Sequence, residues 1–109
     1  MIQIQFHPDY REAIIDGSKR YTTRHDFGHD VEPGDPAELV DSDTLERLRE
    51  VVISLVAPTT LGMLPQWKFS GHRGYSGVLE ARDHLATFYP DAHLEPNTEL
   101  QVIGWPTSP

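Results

Sequence analysis

A small α+β fold is predicted: a β-barrel or strongly curved sheet flanked by two or more helices. Three observations predict it. Apolar and polar residues alternate near both ends of the chain, at positions 2–6 and 99–105, the period-2 signature of half-buried strands. β-branched and apolar residues crowd the middle, from Ala37 to Val56, where strands favour them. Two other stretches, one after Pro8 and one after Ser76, carry apolar residues at helical spacing.

Taken in order, Ile2, Ile4 and Phe6 face one side of the first strand and Gln3 and Gln5 the other. Pro8 and Asp9 open a short helix, since Pro suits a first turn. Tyr10, Ala13 and Ile14 mark its buried face, and Gly17 supplies its stop. Residues 19–24 return to extended backbone through Tyr21, Thr22 and Thr23. A polar loop over 25–36 ends in the turn Pro33-Gly34-Asp35. A short strand follows over 37–40, then a turn at Asp41-Ser42-Asp43. Residues 44–57 read mainly as one long strand, and 59–64 as a short extended segment. Residues 65–77 form a loop rich in aromatic, basic and glycine residues. Ser76 is a candidate cap for a second helix that runs to about Phe88, with Val78, Leu79, Leu85, Ala86 and Tyr89 as its apolar stripe. Tyr89-Pro90 ends it, because the residue before Pro avoids helical backbone. The last strand covers 99–105, and a tail begins at about Pro106.

The chain of 109 residues reads as one domain. Its 9 basic and 17 acidic residues leave a formal charge of −8. That balance excludes a protein that grips nucleic acid by bulk positive charge, because nonspecific affinity comes from Lys and Arg displacing counterions. Contact with RNA would require a local basic pocket. Cysteine is absent, which excludes disulfides, thiolate nucleophiles and Cys-ligated zinc. No run approaches the ~18 apolar residues of a membrane span, and residues 1–6 lack the basic start and apolar stretch of a signal peptide. A cytoplasmic protein without membrane contact is expected. No GxGxxG, Walker or HExxH pattern occurs. His25 and His29 lie four apart in a predicted loop, without a third ligand at characteristic spacing. Neither metal nor cofactor is expected.

Gly17-Ser18-Lys19-Arg20-Tyr21-Thr22-Thr23-Arg24 follows the first strand and helix. After it come Pro33-Gly34-Asp35, a β-rich middle, the loop segment Arg73-Gly74-Tyr75, a helix ending at Tyr89-Pro90, and a terminal strand. In this order and spacing, from Phe6 to Trp105, the chain resembles the ASCH domain family, whose fold is similar to the PUA RNA-binding domain. The resemblance implies a PUA-like small β-barrel with a cleft between barrel and helices, where RNA or nucleotides bind. It also implies the activity of some small bacterial members, amidohydrolases that deacetylate N4-acetylcytidine with a Lys, a Thr and a Glu. Lys19 and Thr22 match the first two. The position of the Glu is Arg73 here, which puts binding ahead of catalysis.

The residues themselves are consistent with either use. A strand places Arg20, Thr22 and Arg24 on one face, and forked guanidinium donors suit phosphate. Arg20 is better explained by pairing with nearby acids such as Asp26 and Asp35. As an enzyme, the chain would use Thr22 as nucleophile, Lys19 as base and an acid such as Glu80 in support. The threonine hydroxyl needs such a base, and a lysine serves only when desolvation or a nearby cation lowers its pKa. Glu80 and Asp83 are also what a solvated helix face would carry. Arg73 and Tyr75 sit beside glycines that permit close approach of a ligand. Trp67 and Phe69 read as core or as platforms for an unpaired base.

The expected ligand is therefore single-stranded RNA or a nucleoside or nucleotide, met by Lys19, Arg20, Thr22, Arg24, Arg73 and Tyr75. The enzyme is the alternative. A third reading is a protein-interaction adaptor using the acidic residues Asp41, Asp43, Glu46 and Glu50.

Overall fold

The computed structural model describes residues 2–25, 30–66 and 77–106. Six strands and two α-helices appear among them, in the order β1 (Ile2–Phe6), α1 (Arg11–Asp16), β2 (Tyr21–Arg24), β3 (Pro36–Asp41), β4 (Arg47–Val52), β5 (Leu55–Thr60), α2 (Val78–Ala86) and β6 (Glu99–Gly104). Tight 3₁₀ turns cover Pro8–Tyr10 and Leu61–Gln66.

The strands pair as two three-stranded sheets, β1-β3-β4 and β2-β6-β5. The expected α+β class holds. Among the described residues, however, the ladders do not join into one closed barrel. The reason lies at residues 53 and 54. Ile53 N–H donates to the Asp35 carbonyl and Ser54 N–H to the Gly104 carbonyl, so the chain leaves one sheet and enters the other between adjacent residues. This divides what was read as a single strand over 44–57 into β4 and β5.

In the first sheet β1 runs parallel to β3, with Ile4 opposite Leu39. β3 and β4 are antiparallel, and a register shift falls between Leu39 and Val40. The extra residue is Leu48 of β4, which lies between Arg49 and Arg47, the partners of Leu39 and Val40. In the second sheet β6 lies between β2 and β5, antiparallel to each. Gly104 is required there. A Cβ at this position would stand 2.7 Å from the Tyr21 ring and 3.2 Å from the Leu55 Cβ.

One core, built from residues such as Ile4, Ile14, Leu39, Ile53, Ile103 and Trp105, joins the two sheets and α1. A second packs α2 and the Leu61–Gln66 turn onto the second sheet, through Leu61, Leu64, Ala81, Leu85 and Leu100. The extended segment expected over 59–64 is thus corrected: its C-terminal part is a 3₁₀ turn. Leu61 and Leu64, three apart, share its buried side, as three residues per turn dictates.

The second helix also differs from expectation. It spans Val78–Ala86, with Gly77 at its start in extended backbone; Ser76 lies outside the described residues. Its buried positions are Ala81 and Leu85, four apart, while Leu79 is largely exposed.

Candidate functional site

The end of α1 fixes the first site residue. Gly17 takes the left-handed conformation (φ 85°) and its N–H donates to the Ile14 carbonyl, while Lys19 N–H donates to the Ala13 carbonyl. The first bond is the 5→2 bond of a glycine-closed helix end; the second comes from one residue beyond the usual 6→1 donor, because the Ser18 amide is taken by Asp16. The Asp16 carboxylate accepts from Ser18 N–H at 2.7 Å, which lowers the pKa of that carboxyl through the Ser18 hydroxyl and amide. The chain is thereby held as it turns, and Lys19 is directed back across Tyr10.

β2 carries the second. Arg24, its last residue, lies opposite Gln101 of β6. The Arg24 Nε donates to Thr22 Oγ1 at 3.0 Å, and Nη2 donates to the Gln5 carbonyl at 2.7 Å. Two aromatic rings complete the arrangement. Lys19 Nζ stands 4.6 Å from the Tyr10 ring centroid and 5.8 Å from that of Phe6. The Arg24 guanidinium carbon stands 4.6 Å from the Phe6 centroid. Both cations are within the reach at which a ring face attracts a cation.

These groups line a cavity of about 280 Å³, whose other side is formed by His84, Leu85, Phe88 and Tyr89 of α2 and the turn after it. Tyr10 and His84 approach across it, with hydroxyl oxygen and Nε2 3.5 Å apart. The Tyr89 hydroxyl accepts from His25 N–H at 3.3 Å, and the two rings meet edge to face.

Among the described lining residues there is no carboxylate. The electrostatic result is visible at both cations. Burial, and then the charge of Arg24, bring the Lys19 pKa down to about 8. Burial also lowers the Arg24 value, against the opposing influence of Tyr89 and Tyr10; a guanidinium nonetheless stays protonated in water at any ordinary pH.

Lys19, Thr22 and Arg24, three of the residues singled out from the sequence, therefore meet in one cavity. Thr22 is buried, with its hydroxyl oxygen accepting from Arg24. Arg20 precedes β2, its carbonyl accepting from Trp105 N–H, and it does not line the cavity. Glu80 is exposed on α2 and likewise is not a lining residue. Arg73, Tyr75, Trp67 and Phe69 lie outside the described residues.

Phe6, Tyr10, His84, Phe88 and Tyr89 were legible only as core or helix-face residues. Their shared wall depends on β1, the Pro8–Tyr10 turn and α2 converging, which no local pattern encodes. The Tyr89-Pro90 pair was the one signal at hand for Tyr89.

The acidic group proposed as an adaptor surface has local partners. The nearly buried Asp41 carboxylate accepts from the Asp43 and Thr44 amides and closes the turn after β3. Chiefly through the Asp43 amide, its pKa is held low. Arg11 pairs with Glu46 at 2.7 Å, and Arg47 with Glu50 at 3.4 Å. Among the described residues no three His, Asp or Glu side chains are grouped to hold a metal ion, and His29 lies outside them. Among the described residues no helix is long and apolar enough to cross a membrane.

No protein-family model matches this chain, and no curated protein matches it. Solved structures do. A mutant of ZmASCH from Zymomonas mobilis superposes with a TM-score of 0.63 at 12% identity, over 95% of this chain and 67% of that one. Protein EF3133 from Enterococcus faecalis V583, labelled DUF984, gives 0.67 at 11% identity, over 92% and 67%. An ASCH domain from Lactobacillus crispatus JV V101 gives 0.58 at 11%, over 88% and 68%.

This chain has an ASCH-like fold. The likeness fits the PUA-like class expected from the sequence. At such identities it speaks for the fold alone, and the chain spans about two thirds of the length of those proteins. Within the ASCH-like fold, the cavity lies where the ends of β1 and β2 face α2.

Proposed function

We propose that the cavity binds the nucleotide unit of a single-stranded RNA or a free nucleotide. The observation that carries this reading is a pair of half-buried cations, Lys19 and Arg24, facing a cavity with aromatic walls and no carboxylate among its described lining residues. Cations that lose hydration without gaining an acid partner leave an anion-shaped deficit. A phosphate satisfies it with charge-assisted bonds, while Tyr10, Phe88 and Tyr89 offer faces or edges to a base. The chain's charge of −8 then disfavours long polyanions elsewhere on the surface and confines binding to this pocket.

Calorimetric titration with nucleosides, nucleoside 5′-monophosphates and short RNA at low salt tests the proposal. Monophosphates are expected to bind more tightly than their nucleosides. The pH dependence has a defined sign. Phosphate favours charged Lys19, so the lysine pKa rises from about 8 on binding. Affinity is therefore steady just below pH 8 and declines as pH rises above it. Lys19→Arg flattens that decline. Equal affinity for nucleosides and monophosphates would reject an anion site.

The second reading, an amidohydrolase acting on an N4-acylated cytidine, is favoured by one observation. A pKa near 8 leaves Lys19 with a neutral fraction able to accept a proton. Set against it, Thr22 Oγ1 accepts from Arg24, and Glu80 stands outside the cavity. Release of cytidine from N4-acetylcytidine that is lost in Thr22→Ala would decide for this second reading.

A further inference from the structure

We propose that the ligand is an oligonucleotide of at least two residues: one nucleotide occupies the cavity, the linking phosphate lies at Arg24, and the next nucleotide runs along a separate groove over β5 and β6. This rests on the nucleotide reading above and extends it to a substrate class.

The groove encloses about 750 Å³ and is lined by His25, Thr59, Thr60, Glu99 and Gln101, together with Arg24. Arg24 is the lining residue that it shares with the cavity. The strand register explains this. Arg24 of β2 and Pro58 of β5 both lie opposite Gln101 of β6, so these three form one row across the sheet. Two residues along β6 in the direction of its start, Glu99 lies opposite Thr60, and a period of two returns them to the same face. The groove is thus the continuation of the row that ends at Arg24. His25 lies on the boundary, with its backbone N–H donating to Tyr89 of the cavity wall and its Nδ1 3.4 Å from the Glu99 carbonyl oxygen.

The chemistry on the two sides differs. The cavity has two cations and no carboxylate among its described lining residues. Among the described residues of the groove, Arg24 is the one Lys or Arg side chain and Glu99 the one carboxylate. A second phosphate would meet Glu99. Hydroxyls, an amide and a carboxylate suit ribose hydroxyls and base edges instead. That assigns the phosphodiester to Arg24, whose five N–H donors exceed those engaged by Thr22, the Gln5 carbonyl and the Tyr89 hydroxyl.

The experiment compares cytidine 5′-monophosphate with the corresponding di- and trinucleotide by calorimetry, at one low salt concentration, on the whole chain. The dinucleotide is expected to bind about tenfold more tightly than the mononucleotide, the gain expected of two or three added hydrogen bonds. Thr60→Glu places a second carboxylate in the groove, and with it the ratio of dinucleotide to mononucleotide affinity falls toward one. Mononucleotide binding with no gain on lengthening overturns this inference and leaves the nucleotide site standing. A gain unchanged by Thr60→Glu overturns the placement of the second nucleotide in the groove. Absence of binding by all three ligands overturns both this inference and the reading on which it rests.

Discussion

Arg24→Ala is expected to weaken binding of a nucleoside monophosphate by about tenfold to a hundredfold. A hydrogen bond to a charged group is worth roughly 1.5–3 kcal/mol, and 1.4 kcal/mol is a factor of ten. Arg24 is the natural point of loss because its guanidinium is already oriented. Nε is held on Thr22 and Nη2 on the Gln5 carbonyl, and the plane rests near the Phe6 ring. Such prior ordering means that little side-chain entropy remains to be lost on binding. Arg24→Lys should recover part of the affinity, because an ammonium supplies the charge but not the fork. Calorimetry with all three proteins measures the series, and thermal unfolding confirms that each is folded. Unchanged affinity in folded Arg24→Ala would remove Arg24 from the site.

Trp105→Ala is expected to produce the largest loss of stability, about 3–5 kcal/mol, the range for deleting a large buried aromatic side chain. A domain is stable by roughly 5–15 kcal/mol in all, so the variant should be close to unfolding. Trp105 is 2% exposed. It packs edge to face on Phe6, with centroids 5.9 Å apart, while its backbone N–H donates to the Arg20 carbonyl. The indole therefore supports the ring beside which both cavity cations sit. Trp105→Phe retains much of that contact and should cost less. Denaturant titration gives both values. A loss below about 1 kcal/mol in Trp105→Ala would show that this core does not hold the sheets together as described.

The parts of the fold that were legible in the sequence depend on short-range chemistry. The alternation at Ile2–Phe6 identifies β1 because one face of it is buried. Gly17 ends α1 because the chain needs a positive φ there, and Gly34 turns the chain before β3 for the same reason. The break between β4 and β5 was not legible. Val51, Val52, Ile53, Leu55 and Val56 form a nearly continuous apolar run, and only the long-range partners of Ile53 and Ser54 reveal the change of sheet. The stripe of α2 is legible in Val78, Leu85 and Tyr89, which pack on the second core, but not in Ala81. Leu79 was assigned inward on hydrophobicity, but the small Ala81 lets the helix lie close to Leu61 and Leu64.

The site was legible to the extent that it lies on one continuous segment. Lys19, Thr22 and Arg24 fall within six residues, and the helix stop and strand that orient them are written in the same stretch. The aromatic wall comes from Phe6, Tyr10, Phe88 and Tyr89, separated by up to some eighty positions. Each residue alone is an ordinary apolar position. Their function as a wall follows from the packing of α2 against the second sheet. Net charge conceals the site in the same way. A net −8 describes the whole surface, whereas the described lining of the cavity carries Lys19 and Arg24 with no carboxylate.

Amide chemical-shift mapping during titration with a cytidine dinucleotide at low salt tests the central claim most directly. The predicted result is a saturable set of shifts confined to the cavity and the groove that adjoins it, including Tyr10, Lys19, Thr22, Arg24, Thr60, Tyr89 and Gln101, with the remainder of the sheets unmoved. No saturable shifts, or shifts centred on the acidic turn around Asp41–Glu46, would contradict it.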